Sequence, residues 1–322
     1  MRVLHVDTAL EWRGGQQQLA YLLAARPQDG WAGVPDSPLA QRVGPPTLPL
    51  YANADPRSFF RLIRPDFDIV AAHTPHAAGL AWLCGRPLVI HRRTDFVPHH
   101  PWKYRHAERI ICVSEHIRRV MITAGLPAEK LVVVHSGVRS RAGGKQIFDL
   151  PRPIWGAVGA LVPHKGHRTL LRALVGLPGT AVIAGHGPLE AELRRLAADL
   201  GLMDRVLFLG QREDIEDLLA SVDVFVHPSV EEGLGQVVAE ALEAGCRVVA
   251  CRAGGIPEVV GEGGVLVPPG EPEALAAGMR RALDLPPGYG IAQGRRFSVE
   301  AMVTGTEAVY RDVLALGAVK GL

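Results

Sequence analysis

The sequence predicts two doubly wound α/β domains, one after the other along the chain. Short runs rich in Val, Ile and Leu recur between helix-like stretches across all 322 residues. The runs are continuously apolar, not alternating, as in parallel strands covered on both faces. The alternation breaks near Pro153 and restarts, which makes two sets. In the first set, strands are predicted at 3–6, 69–72, 88–90, 110–113 and 131–134, with helices at 16–25, 77–84 and 114–124. In the second, strands fall at 154–158, 181–184, 206–209, 222–226, 247–250 and 265–267. Helices are expected there at 167–175, 189–200, 215–220, 237–244 and 272–283. The segment 136–152 is rich in Gly and Arg and poor in apolar residues, so it reads as a linker between a domain at 1–150 and one at 151–298. The amphipathic end, 299–322, is a helix free to pack on either domain, including back on the first.

Composition excludes several classes. Hydrophobic residues make up 48% of the chain and charged residues 21%, and the formal net charge is +2. No apolar run reaches the length of a membrane span. Segment 2–7 has neither the apolar stretch nor the cleavage site of a secretory leader, so a cytoplasmic location is expected. Cys84, Cys112, Cys246 and Cys251 have no CxxC spacing and read as reduced buried thiols. A near-neutral total argues against nucleic acid as a partner. The total hides an asymmetry: residues 1–150 carry 19 basic and 12 acidic side chains, a net +7, whereas 151–322 carry 16 and 21, a net −5.

Chemistry-bearing residues concentrate in Pro228-Ser-Val-Glu-Glu232-Gly233-Leu234-Gly235-Gln-Val-Val-Ala-Glu240, just after a predicted strand. Ligands of open α/β sheets bind at the carboxyl ends of strands. A helix opening at Gly235 offers N–H groups to a phosphate, and glycine permits close approach. Glu232 and Glu240 flank that helix start and suit sugar and ribose hydroxyls; a solvated glutamate beside an ordinary turn is the competing reading.

These residues resemble the Glu–seven residues–Glu signature of glycosyltransferase family 4, of GT-B fold. Other pieces match in order: Gly14-Gly15-Gln16 after the first strand, Val113-Ser114-Glu115, His135-Ser136-Gly137, and Gly159-Ala160-Leu-Val-Pro-His164-Lys165-Gly166. Gly185-His-Gly187-Pro, Phe208-Leu-Gly210 and Gly254-Gly-Ile-Pro-Glu258 follow. The resemblance implies two Rossmann-like domains facing an interdomain cleft. It also implies retaining, metal-independent transfer from a nucleotide-diphosphate sugar, UDP- or GDP-linked, with no other cofactor. On this reading Glu232 contacts the sugar, Glu240 the ribose and Lys165 the pyrophosphate. Gly14, Gly15, Gln16, His164, Gly185, Gly187, Gln211, Arg212, Gly233, Leu234 and Gly235 complete the donor site. His91, which follows a strand, is the candidate active-site histidine, with a structural role as its rival.

Arg92, Arg93 and His73 are candidates for the acceptor, a glycan, lipid-linked or other small molecule of the cell envelope or lipopolysaccharide type. Internal pairing of the arginines with Asp95 is the competing reading. One departure from the family pattern is Ala160, where an Arg is usual; Arg92, Arg93 or His164 are candidate replacements. Arg57, Arg61 and Arg64, beside Phe59 and Phe60, form either a solvated helix face or a peripheral contact with anionic lipid. A monomer or weak homodimer is expected. The rival functions are a nucleotide-sugar 2-epimerase of the same fold and a non-catalytic nucleotide-sugar-binding homologue.

Overall fold

The computed structural model of the protein describes residues 1–50, 66–82, 84–98, 100–140 and 143–320. Arg57, Arg61 and Arg64 lie outside the described residues. The chain divides into two compact units, Met1–Gly137 with Val299–Leu322, and Val138–Ser298.

The first unit is built on a parallel sheet in the order β3-β2-β1-β4-β5-β6-β7. Its strands are β1 (Val3–Val6), β2 (Gly30–Gly33), β3 (Leu48–Pro49), β4 (Ile69–Ala72), β5 (Leu88–Arg92), β6 (Arg109–Cys112) and β7 (Leu131–Val133). The described helices are α1 (Gly14–Ala25), α2 (Pro38–Val43), α3 (Pro75–Trp82) and α4 (Glu115–Thr123), and the carboxyl-terminal α12 (Val299–Lys320) closes the unit. Strand order reverses at β1 and β4, the switch point of a doubly wound sheet. Val3, Ile69, Val89 and Ile111 of the sheet pack with Met302, Tyr310 and Val313 of α12 in one core cluster.

Strands β2 and β3 have no counterpart in the sequence reading. Strand β2 is Gly-Trp-Ala-Gly, with no branched residue. Its glycines answer to packing: a Cβ at Gly30 would run into the Phe67 ring, and one at Gly33 into the Trp31 ring and the Asp7 carbonyl. Close packing overrides strand propensity there.

The second unit has the parallel order β10-β9-β8-β11-β12-β13. The strands are β8 (Ile154–Val158), β9 (Thr180–Ala184), β10 (Val206–Gly210), β11 (Val224–His227), β12 (Arg247–Cys251) and β13 (Val265–Val267). Between and after them lie α5 (His167–Leu174), α6 (Glu190–Asp199), α7 (Ile215–Ser221), α8 (Gln236–Glu243), α9 (Ile256–Val260), α10 (Pro272–Leu283) and α11 (Ile291–Gly294). Helix α5 shows how periodicity builds this core: Leu170, Leu171 and Leu174 are buried and Arg172 is exposed. Each such leucine contributes about 1.5–3 kcal/mol.

The division between units corrects the expected boundary at 150. Residues 138–150 belong to the second unit. The Lys145 N–H donates to Asp217 Oδ1 at 2.7 Å and the Ile147 N–H to Ser221 Oγ at 2.8 Å. A side chain at Gly144 would strike the Glu216 carbonyl. The segment is poor in apolar residues because polar contacts to α7 hold it, not because it is a loose linker. The chain leaves and re-enters the first unit at one place: the Val138 N–H donates to the Phe297 carbonyl at 2.7 Å, and Val138 bridges Ser298 in parallel.

Candidate functional site

In the second unit the loops leaving β8, β9 and β10 are laced by backbone hydrogen bonds. The Gly159 N–H donates to the Ala184 carbonyl (2.9 Å), the Gly185 N–H to Gly210 (2.7 Å) and the Leu161 N–H to His186 (2.9 Å). Gly185 and Gly187 are glycines for lack of room: a Cβ at either would strike the backbone of Gly159 or Leu161. A 3₁₀ turn at Pro163–Lys165 then ends on Gly166, which has φ +70° and sits against the Pro228 carbonyl. The Val230 N–H donates to the His164 carbonyl at 2.8 Å, joining this turn to the loop after β11. His164 itself is exposed.

This lacing brings together side chains 67 residues apart. Lys165 Nζ lies 2.5 Å from Glu232 Oε2. His227, the last residue of β11, places Nε2 3.2 Å from the same oxygen. An ionised carboxylate only accepts, so the His227 proton sits on Nε2. Burial opposes ionisation of Glu232, but His227 and Lys165 prevail and hold its pKa at about 2. Burial lowers the His227 pKa, and Glu232 opposes that shift. Glu232 is therefore an acceptor across the physiological pH range and cannot serve as a proton donor.

The backbone of Glu232 is fixed from the other side. The Gly255 N–H donates to its carbonyl at 3.1 Å. Gly254 has φ +52°, and a side chain there would land on that same carbonyl. Gly235 caps α8 at φ +94° and abuts Ile256; Leu234 is buried beside it, and Gly233 precedes them. Glu240 lies within α8. Gln211 is exposed, and Arg212 is paired with Asp214, with Nε 2.7 Å from Oδ1. Two buried atoms near this edge have no hydrogen-bond partner: His167 Nδ1, one residue after Gly166, and Ser229 Oγ, one residue after Pro228.

The first unit gathers a second cluster. Gly14 and Gly15 open α1, and the Gln16 amide is engaged internally, accepting from the Arg13 N–H (3.2 Å) and donating to Asp7 Oδ2 (3.1 Å). His91 lies on β5, buried, with Nε2 3.1 Å from Tyr310 Oη. It stacks on His73 with ring centroids 4.3 Å apart. Burial, then the charge of Arg93, keeps the His91 pKa well below the ordinary value; burial does the same to His73. Arg92 is turned inward, bonded to Tyr104 Oη (3.1 Å) and the Phe96 carbonyl and lying over the Phe96 ring. The structure thus gives His73 and Arg92 internal partners, which are not the Asp95 pair weighed from sequence. Sequence reasoning missed His227, His5, Asp29 and Tyr310, and gave Ser229 no role of its own. A polar residue inside an apolar strand, as in Val-Leu-His5-Val, was the available signal for His5.

Two family descriptions match the chain, each on one portion: "Glycosyltransferase Family 4" over residues 13–141 and "Glycosyl transferases group 1" over 152–284. The lipopolysaccharide core biosynthesis glycosyltransferase LpsE of Rhizobium meliloti is 32% identical over 65% of this chain and 63% of its own length. The 2-deoxystreptamine glucosyltransferase of Streptomyces kanamyceticus is 31% identical over 58% of this chain and 54% of its own. The chain thus aligns with less than two thirds of either relative. Among solved structures, Anabaena Alr3699/HepE in complex with UDP superposes with a TM-score of 0.83 at 24% identity, over 97% of this chain and 100% of that one. The apo lipopolysaccharide outer core galactosyltransferase WaaB gives 0.77 at 16% identity, over 97% and 100%. With two parallel doubly wound sheets and a family match on each portion, the chain belongs to glycosyltransferase family 4 and has the GT-B fold of two Rossmann-like domains.

Proposed function

We propose that the protein transfers a sugar from a nucleotide-diphosphate sugar to a glycan or lipid-linked acceptor, with retention of configuration and without a divalent cation. The observation that carries this reading is the Lys165–Glu232 contact of 2.5 Å at the carboxyl edge of the second sheet. Each group occupies the other until a donor arrives. Lys165 then turns to the diphosphate, where charge develops as the sugar leaves, and Glu232 accepts from sugar hydroxyls. Preplaced cationic and N–H donors stabilise that charge without reorganisation at the moment of reaction. The orphaned Ser229 Oγ and His167 Nδ1 give the same edge two further groups in want of a partner. With Glu232 fully ionised, the departing phosphate is the base that takes the acceptor proton. His91, kept neutral, serves as a hydrogen-bonding group to the sugar.

A UDP-linked donor is favoured by Alr3699/HepE, whose structures include one with UDP-glucose. A cell-envelope acceptor is favoured by the relative LpsE. Among the described residues no helix is long and apolar enough to cross a membrane. Exposed Phe96, Val97 and Trp102, with Lys103 Nζ 5.6 Å from the Trp102 ring, offer a surface for peripheral contact with anionic lipid.

Titration calorimetry against a panel of UDP- and GDP-sugars, followed by NMR of the product anomer, tests the reading. One donor should bind, lose affinity in Lys165→Ala, and yield a product of unchanged anomeric configuration in the presence of EDTA. Interconversion of the sugar without acceptor would mean an epimerase. Binding with no nucleotide released under any condition would mean a non-catalytic homologue.

A further inference from the structure

Arg93 is half-buried, and the fold leaves its cation uncancelled. Its Nη1 is buried without a hydrogen-bond partner, and its Nη2 lies 3.1 Å from His73 Nδ1. Among the described residues no carboxylate forms an ion pair with it. Asp7, whose charge it feels, gives Oδ1 to the Ala9 N–H (2.7 Å) and Oδ2 to Gln16 (3.1 Å). Burial brings its pKa down only to about 10, so it stays charged at neutral pH. An orphaned, buried donor on a cation is costly and calls for a reason.

The identity of its partner supplies one. A guanidinium only donates, so His73 Nδ1 accepts and the ring proton sits on Nε2. That N–H reaches His5 Nδ1 at 2.9 Å, which accepts in turn. The His5 proton is then on Nε2, 3.3 Å from Asp29 Oδ2. Asp29 is itself neutralised by Arg26, with Nε 2.5 Å from Oδ2. Each imidazole has one permitted tautomer, and both are neutral. A carboxylate in place of His73 would hold the arginine and cancel its charge; a neutral ring holds it and leaves the charge available. Arg93 also lines a small cavity with His91, Gln18, Ser136 and Thr306. Gly15, in the first turn of the 12-residue α1, packs beside it: a Cβ there would stand 3.6 Å from Arg93 Cδ. The positive end of the helix adds to the field at this spot.

We propose that Arg93 is the anion-recognition group of the first unit, donating from Nη1 to a phosphate-class oxyanion, and that His73, His5 and Asp29 are positioning residues that hold the guanidinium without cancelling it. The site stands on binding alone and does not require that a sugar be transferred. The oxyanion can belong to the acceptor or to a nucleoside diphosphate, and the test separates the two.

The test uses the full chain carrying Lys165→Ala, which silences the cation of the second unit. Inorganic phosphate, glucose 1-phosphate and UDP are titrated by calorimetry, with circular dichroism as the check on folding. Phosphate should bind with a Kd near ~1 mM, and Arg93→Gln should weaken it about tenfold or more. His73→Gln keeps a neutral acceptor and a donor toward His5, so binding should stay within about threefold. His73→Glu should weaken binding about tenfold while the melting temperature holds or rises, which a merely structural role would not produce. Loss for phosphate and glucose 1-phosphate but not UDP assigns the oxyanion to the acceptor; loss for all three assigns it to the nucleotide. The proposal is overturned if phosphate does not bind, if folded Arg93→Gln binds it like the parent, or if folded His73→Glu binds as well as His73→Gln. Should both His73 variants unfold, Arg93→Gln alone decides.

Discussion

Lys165 in the second unit touches a carboxylate, whereas Arg93 in the first touches an imidazole. The Lys165–Glu232 pair is self-neutralising. The Arg93–His73 contact leaves a net charge in place. The acidic half of the chain thus guards its cation with an anion, and the basic half leaves its cation open. Bulk charge and local charge therefore run in the same direction in each unit; on the proposed function, the second unit breaks an ion pair to bind its donor.

The largest expected effect comes from breaking that pair. Lys165→Ala should lower turnover about 10²–10³-fold, the scale of losing one transition-state donor. It should also raise the acid limb of the rate profile, because Glu232 loses one of the two groups holding its pKa near 2. Steady-state rates from pH 4 to 8 check both. An unchanged turnover would remove Lys165 from the site.

Next comes the brace behind Glu232. Gly254→Ala adds a side chain onto the Glu232 carbonyl at φ +52°, and should cost about 2–3 kcal/mol of stability together with a loss of donor binding. Gly270→Ala is the control: its φ is +78° but the space around it is open, so about 1 kcal/mol and no change in binding are expected. Thermal melts and donor titrations of both variants read the difference. Equal effects would mean that backbone strain alone matters and the brace does not.

The smallest expected difference between the units is in their response to acid. Burial lowers the pKa of His73 and His91 well below the ordinary value, and that of His167 to about 4. A folded state that binds fewer protons than the unfolded chain loses stability as pH falls. This contribution is complete above about pH 6.5; one unit lower, each such histidine costs about 1.4 kcal/mol. The first unit buries three such histidines, His5, His73 and His91, against His167 and His227 in the second, so its amides should lose hydrogen-exchange protection faster between pH 7 and 5.5. Equal loss in both units would show that the histidine cluster does not titrate as a buried group.

Much of this was legible in the sequence, and the gaps have physical causes. The continuous apolar strands such as Ile154–Val158 announced the parallel sheets because nothing else buries both faces. Gly30–Gly33 did not, because its glycines answer to the Phe67 and Trp31 rings, which lie elsewhere in the chain or at the wrong spacing to signal a strand. Lys165 and Glu232 were each readable from their local motifs. Their contact was not, since it depends on Gly166 packing against Pro228 and on the bond between Val230 and His164. Gly254-Gly255 was readable as a pattern, and only the structure shows that it supports Glu232. His5, Asp29 and Tyr310 stayed hidden because long-range neighbours give them their meaning. Tyr310 reaches His91 from a helix 219 residues further on.

The return of that helix has a topological consequence. The second unit is an insert, spliced into the first between Gly137 and Val299. Its two ends, Val138 and Ser298, are bridge partners, so the insert begins and finishes at a single seam. A gene in which a short linker replaces 138–298 should encode the first unit as a self-contained protein, with Tyr310 still seated on His91. A simple truncation at residue 137 would instead strip the sheet of its covering helix.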